Sequence, residues 1–299
     1  MTMELRLLRY FVAVAEELNF TRAAHRLHIA QPPLSRQIRQ LEELIGVQLF
    51  VRDRRRVTLT ISGKVLLREA RIVLNQFQYA VDLTRRSRKA EPRIVRVGIA
   101  HGLGERVHPV LAAHYRRFPR VDVQCQDVFS TFQNEALRAL RIDVGFLRPP
   151  VDTAHLQSRP LFEERFMALL PKTSRLAKYK KVRIKQLSNE TLLLHKRDVS
   201  SGVYDKVVDL YREAGVAPRV VHTRTGPWEE AGTMLVGSGK GIYVGVGAVL
   251  SHPVFGSEVT SVLLSEPGAT IAVHVAWRKD EKSKLIFDFV DSVQEVFPS

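Results

Sequence analysis

Apolar positions between residues 4 and 45 recur at the three-and-four spacing of amphipathic helices. Leu5, Leu8, Phe11, Val12 and Ala15 share one face of a first helix over residues 4–18. Ala23, Ala24 and Leu27 give a shorter second face, with Thr21 at the N-cap position, where its hydroxyl can accept a first-turn N–H. Pro32 and Pro33 restart the chain, since proline lacks an N–H that the first turn leaves without a partner. The third helix then places Leu34, Ile38, Leu41 and Ile45 in one stripe, with Ser35, Arg36, Arg39, Gln40 and Glu43 opposite and Gly46 to end it. A short helix, a tight turn and a helix with a polar outer face describe a helix-turn-helix, whose Ser, Arg and Gln side chains suit phosphates and base edges. The plainer reading is a helical pair with a solvated face, and the flanking segments argue against it.

Residues 47–51 and 57–60 are short apolar runs around the tip Arg52-Asp53-Arg54-Arg55-Arg56, a wing-like hairpin suited to phosphate contact. Leu66, Ala70, Val73, Phe77, Ala80 and Thr84 then keep helical spacing through residues 62–88, with Ser62 as the expected cap. Such a helix is roughly 40 Å long at 1.5 Å per residue. Its apolar seam suggests pairing with a second copy, and packing against the chain's own core is the alternative. A charge-rich hinge ends near Pro92.

From Ile94 the rhythm becomes βαβαβ: 94–100, 107–118, 121–128, 132–140 and 142–147. Two strand-like segments follow, around Leu161 and over 166–170. A second α/β set occupies 191–195, 204–214, 219–224, 229–237 and 242–246; strands at 259–264 and 271–277 and a helix at 283–297 close the chain. The expected organisation is α/β: a DNA-binding domain over 1–61, a dimerising linker over 62–93, and a two-lobed ligand-binding domain over 94–299. Lobe I takes about 94–162 and 266–299, lobe II about 163–265, with ligand between them at strand C-termini and helix N-termini.

Charge sharpens this division. The 299 residues carry a net charge of +15. Residues 1–93 hold 18 Lys+Arg against 9 Asp+Glu, and the rest 28 against 22, so the first third has most of the excess. That favours a polyanionic partner for the helical part. One cysteine, Cys125, excludes an internal disulfide; on an apolar-alternating strand it reads as a small core residue. Charges interrupt the N-terminal apolar residues, and no apolar run approaches the roughly 20 residues of a membrane span, so a soluble cytoplasmic protein is expected.

Residues 3–93 resemble the DNA-binding half of LysR-type transcriptional regulators. The resemblance rests on Ala23-Ala24, Leu27, Gln31-Pro32, Leu34-Ser35, Ile38, Leu41-Glu42, Gly46, Leu49-Phe50 and Leu59 to Gly63. Residues 141–146 and 237–242 extend it more loosely through the remainder. It implies a winged helix-turn-helix, a dimerising linker helix and a periplasmic-binding-protein-like (type 2) effector domain. It also implies tetramers on promoter DNA that are responsive to a small effector, with RNA polymerase as a further partner. Carried over by position, Thr21, Arg22, Gln31, Pro32, Pro33, Ser35, Arg36 and Arg39 would meet bases or backbone, with Arg52, Arg54 and Arg55 on the wing.

Residues 10–17 and 29–38 are especially similar to regulators of aromatic-acid catabolism, whose effectors are muconates and benzoates. There the effector carboxylate meets the loop after the first strand, here His101, Gly102 and Leu103, and a hydroxyl residue opening the second helix, here Ser130 with Thr131. Backbone amides at a helix N-terminus suit a carboxylate. Arg148 is the nearest counter-charge, and Ser130 could equally be a plain N-cap. Ser201 and Val203 stand across the cleft and Trp228 on the other wall. Gly102 replaces a common Ser or Thr, residues 199–203 replace a loop bearing Pro and Phe, and Val246 stands where a Pro is common, so the pocket should differ.

An enzyme is the rival class. The chain has no Gly-x-Ser-x-Gly, no His-Glu-x-x-His and no His/Cys cluster at metal spacing. Residues 237–241 lack the Ser/Thr of a phosphate loop. No catalytic residue, metal or cofactor is expected.

Overall fold

The computed structural model describes residues 4–52, 57–86, 93–223, 230–247 and 258–298. The chain forms two compact units, Met1–Glu91 and Pro92–Ser299.

In the first unit, α1 (Leu5–Glu17), α2 (Phe20–Arg26) and α3 (Gln31–Ile45) precede a hairpin of β1 (Phe50–Arg52) and β2 (Val57–Leu59) and the long helix α4 (Ile61–Arg86). Phe11, Leu34, Ile38 and Leu41 are fully buried together with Leu49 and Phe50. The Phe11 and Phe20 rings lie 5.5 and 5.9 Å from that of Phe50, which joins the hairpin to the helices. Glu42 Oε1 accepts the Leu49 and Phe50 N–H groups at 2.8 and 3.1 Å, fixing the hairpin to the end of α3.

Two helix starts differ from expectation. Asn19, not Thr21, caps α2: its backbone is extended and its side chain accepts the Arg22 N–H at 3.0 Å, whereas Thr21 already lies within the helix. Thr60, not Ser62, caps α4, its hydroxyl accepting the Gly63 N–H at 2.9 Å and donating to the Gln48 carbonyl at 2.8 Å. In both cases the residue just ahead of the helix is the one whose side chain can reach back to the first turn.

The seam of α4 also divides. Leu66, Leu67, Ala70 and Leu74 pack on the unit's own core, while Val65, Val73 and Phe77 are exposed. Glu16 braces the three helices, reaching Arg26 of α2 at 2.8 Å and Arg71 of α4 at 2.9 Å. Burial pushes its carboxyl upward, but these bonds outweigh it and hold the group below the usual range.

The second unit runs β3 (Arg93–Ile99), α5 (Gly104–Arg117), β4 (Val121–Asp127), α6 (Ser130–Arg138) and β5 (Val144–Leu147). The expected pair of segments near 161 and 166–170 is one strand, β6 (Leu156–Pro171). Glu163, Glu164 and Arg165 break its apolar pattern without ending it, because its first part pairs with β12 while residues 166–171 pair with β10 and β11. There follow β7 (Lys181–Val182), a 3-10 turn, β8 (Thr191–His195), α7 (Ser201–Glu213), β9 (Arg219–Thr223), α8 (Glu230–Gly237), β10 (Tyr243–Val246), β11 (Val259–Leu264), β12 (Thr270–Arg278) and α9 (Lys284–Val296).

Strand β3 lies parallel between β4 and β5, and β12 runs antiparallel to both β5 and β6. Parallel strands β8 and β9 approach β10 through a Leu192–Ile242 bridge. One core gathers Val95, Val97, Val107, Phe146, Val273, Trp277 and Phe289; a second gathers Phe166, Leu170, Leu192, Val207, Tyr211, Ile242 and Ile271. The two cores define two lobes, and among the described residues only those of β6 and β12 contribute to both. On β12 the changeover falls between Ile271 and Val273, where a register shift follows. Residues 266–271, expected with lobe I, therefore include Ala269 and Ile271 of the second core. Cys125 is exposed on β4, contrary to its reading as a core residue, because β4 is an edge strand with little packed on its outer side.

Candidate functional site

Helix α3 presents a sharp contrast of faces. Leu34, Ile38 and Leu41 are fully buried, while Pro32, Arg36 and Arg39 are exposed and Gln31, Pro33 and Ser35 half-buried. Ala30 has extended backbone immediately before Gln31, and the prolines occupy the first turn as expected. Neither Arg36 nor Arg39 forms an ion pair with a described carboxylate, so both guanidinium groups face solvent with full hydrogen-bonding capacity. Thr21 is exposed on α2. Arg22 is engaged: its guanidinium donates to the Glu17 carbonyl at 2.5 Å and to Glu17 Oε2 at 3.3 Å, capping the end of α1. Its Nη1 group makes neither of these bonds, so the exposed guanidinium keeps donors for the expected DNA contact while it caps α1. The side chain of Arg52, and Arg54 and Arg55 entirely, lie outside the described residues.

At the junction of the two lobes in the second unit, His101, Ser130, Thr131, Arg148 and Ser201 come together. Arg148 is the hub. It is 4% exposed, its Nε and Nη2 bond the Glu164 carboxylate at 2.5 and 3.1 Å, and Nη2 also donates to the His101 carbonyl at 3.1 Å. Its backbone N–H donates to Ser130 Oγ at 3.1 Å. The expected counter-charge is therefore already neutralised by Glu164, which replaces the expectation of Arg148 as a free partner for an anion. Phe129, not Ser130, is the residue preceding α6, so Ser130 is the first helical residue and its hydroxyl accepts from Arg148 instead of capping.

Thr131 Oγ1 accepts the Ser201 N–H at 3.2 Å, a hydrogen bond between lobes. The start of α7 thus meets the start of α6. Gly202 makes the approach possible: a Cβ there would stand 1.8 Å from the Pro149 carbonyl oxygen, well inside contact distance. Gly102 takes φ +83°, a left-handed turn that suits glycine and lets the loop after β3 bend toward the junction. The His101 ring lies edge-on to Phe129 with centroids 4.3 Å apart.

Two expected contacts are limited to the backbone. Leu103 is fully buried in the first core and Val203 is 6% exposed in the second, so both side chains point inward rather than at the junction. Each sits at the entry to a helix after a loop, where the apolar member of the pattern turns to the nearest core. Trp228 lies outside the described residues. Among the described residues there is no cluster of His, Cys, Asp and Glu that could hold a metal, and no helix long and apolar enough to cross a membrane.

Comparison with known proteins follows the same division. Residues 5–64 match the family described as bacterial regulatory helix-turn-helix protein, lysR family, and residues 89–298 match the LysR substrate binding domain.

The chain belongs to the LysR family.

Among its relatives, the Hca operon transcriptional activator HcaR of Escherichia coli is 33% identical over 302 residues, covering 98% of each chain. The regulator AlsR of Bacillus subtilis is 31% identical over 289 residues, covering 96% of this chain and 94% of its own. The full-length structure of CbnR complexed with its target DNA superposes with a TM-score of 0.67 at 25% identity, over 98% of this chain and 100% of that one. This LysR-family chain is a DNA-binding transcriptional regulator with an effector-binding domain, not an enzyme.

The regulator's junction contains residues that the pattern of motifs did not single out: Glu164, Pro149, Gly202 and Phe129. Glu164 had a usable signal. It shares strand parity with Phe166, Ala168 and Leu170, all buried, so period-two alternation turns its carboxylate inward. Gly202 carried no such mark, because its need comes from a carbonyl more than fifty positions away.

Proposed function

We propose that this regulator reads operator DNA through the first turns of α3 and responds to a small organic or aromatic acid held between its lobes. Arg36 and Arg39, exposed and unpaired among the described residues opposite a fully buried stripe, carry the DNA part of this reading. Guanidinium groups in that position suit guanine edges and phosphates. Replacing Arg36 by Ala should weaken binding to an operator selected from a random duplex pool by about 1–3 kcal/mol and relax preference at one base pair. Unchanged affinity in an anisotropy titration would remove α3 from the recognition role.

The anionic character of the effector is supported by the junction itself. The N-terminal ends of α6 and α7 meet there, each presenting backbone N–H groups with partial positive charge. Because Glu164 occupies Arg148, amides and the Thr131 hydroxyl would hold the carboxylate. Gly202→Ala forces the helix starts apart. A carboxylate that raises the melting temperature of the parent chain should therefore bind the variant at least tenfold more weakly, read as a smaller thermal shift at equal concentration. Equal shifts in both proteins would place the effector elsewhere.

Self-association is supported by the outward Val65, Val73 and Phe77 of α4, an apolar stripe that a second copy's helix can cover. We place the protein in the cytoplasm as a homotetrameric activator contacting RNA polymerase, in keeping with HcaR's description as an operon activator.

A further inference from the structure

The second lobe carries a concentration of cations that the operator and effector roles leave unused. Residues 172–185 contain seven Lys+Arg and no carboxylate. Residues 94–299 have 28 Lys+Arg and 22 Asp+Glu, a net +6; without these seven the span would be −1. The net positive charge of the effector-binding region thus depends on one short stretch.

That stretch is anchored to the second lobe and faces outward. Leu176, Val182, Ile184 and Leu187 are 0–4% exposed and belong to the second core, while every Lys and Arg between 172 and 185 is exposed. The backbone is pinned by Lys172 N–H to the Glu258 carbonyl, by pairing of β7 with β11, and by Ile184 N–H to Glu266 Oε1. None of the seven cations pairs with a described carboxylate. Guarding an edge strand with lysine explains at most part of this, because β7 is only Lys181–Val182 and the other six cations lie outside it.

We propose that residues 172–185 bind the phosphate backbone of DNA, adding sequence-independent, salt-sensitive affinity beyond what the helix-turn-helix reads. Five of the seven cations are lysines, which serve phosphates as mobile point charges. A protein partner would require an apolar centre with aromatic anchors and few lysines. Here the exposed large apolar side chain is Tyr179, with Lys178 over its ring at 5.5 Å; its hydroxyl can itself donate to a phosphate oxygen.

The test uses the full chain and a mixed-sequence duplex as probe. One variant carries Lys178→Gln, Lys180→Gln, Lys181→Gln and Lys185→Gln; a second carries Arg at the same four positions. The slope of log affinity against log salt should fall by roughly 0.9 for each phosphate that the Gln variant no longer neutralises, with at least tenfold weaker binding at low salt. The Arg variant should keep the parent slope, which separates charge from any effect on folding. Equal slopes for the parent and the Gln variant would overturn the proposal. So would a Gln variant that binds DNA normally but fails to support transcription with purified polymerase, since the stretch would then face an acidic protein. This inference rests on the chain's DNA-binding role, and its outcome is separable from that of α3: Arg36→Ala reports on operator preference, the lysine set on salt slope with mixed sequence.

Discussion

Glu164→Leu should destabilise the effector-binding unit by about 3–5 kcal/mol. The substitution leaves the Arg148 guanidinium, 4% exposed, without its carboxylate in a site where water cannot replace it. The remaining bond to the His101 carbonyl satisfies part of its hydrogen-bonding capacity but none of its charge. Replacing both partners, as Arg148→Met with Glu164→Leu, should recover most of this stability, because two well-packed apolar side chains no longer need a counter-charge. Urea unfolding followed through Trp277, which sits on β12 in the same lobe, reads this directly in a Trp228→Phe background. A single variant as stable as the parent would mean that Arg148 finds another partner. The double variant should also lower effector affinity even when stability returns, since Arg148 positions the His101 carbonyl.

Acid should weaken the same unit before carboxylates begin to protonate. Burial depresses His195, at the end of β8, to about 4, against opposing pulls from the Ser200 backbone and Asp198. Its ordinary value is about 6.5, so between 6.5 and 4 the unfolded chain binds a proton that the folded chain refuses. The stability that neutral His195 confers is complete above 6.5, declines as the pH falls, and is gone below 4. A shift of this size corresponds to about 3 kcal/mol as an upper figure. Burial also lowers His114, held between α5 and α9 with Nδ1 3.1 Å from Ser292 Oγ, and His274 on β12, so both add in the same direction. Unfolding free energy measured at pH 7 and pH 4.5 should drop steeply for the parent and less for His195→Gln. A flat profile in the parent would mean that His195 reaches water.

Much of this regulator was open to reading from local pattern. The three-and-four spacing of Leu34, Ile38 and Leu41 requires one buried face, so Arg36 and Arg39 have to point outward. Most strands and helices beyond Ile94 followed from alternation and turn residues in the same way, since backbone hydrogen bonding and apolar burial impose periods of two and 3.6. Capping was less legible. Thr21 and Ser62 are plausible caps by type, yet Asn19 and Thr60 stand at the positions from which a side chain can reach the first turn.

What the sequence by itself determined is which residues can be buried and which element each joins, because those depend on neighbours a few positions away. Tertiary structure decided the rest. It paired Arg148 with Glu164, turned Leu103 and Val203 into the cores, placed Gly202 against the Pro149 carbonyl and left Cys125 on an open edge. Each of these depends on segments distant in the chain, set by the crossing of β6 and β12 and by which strand ends a sheet. Local periodicity carries no record of such meetings, since the same residues would show the same pattern whatever faced them.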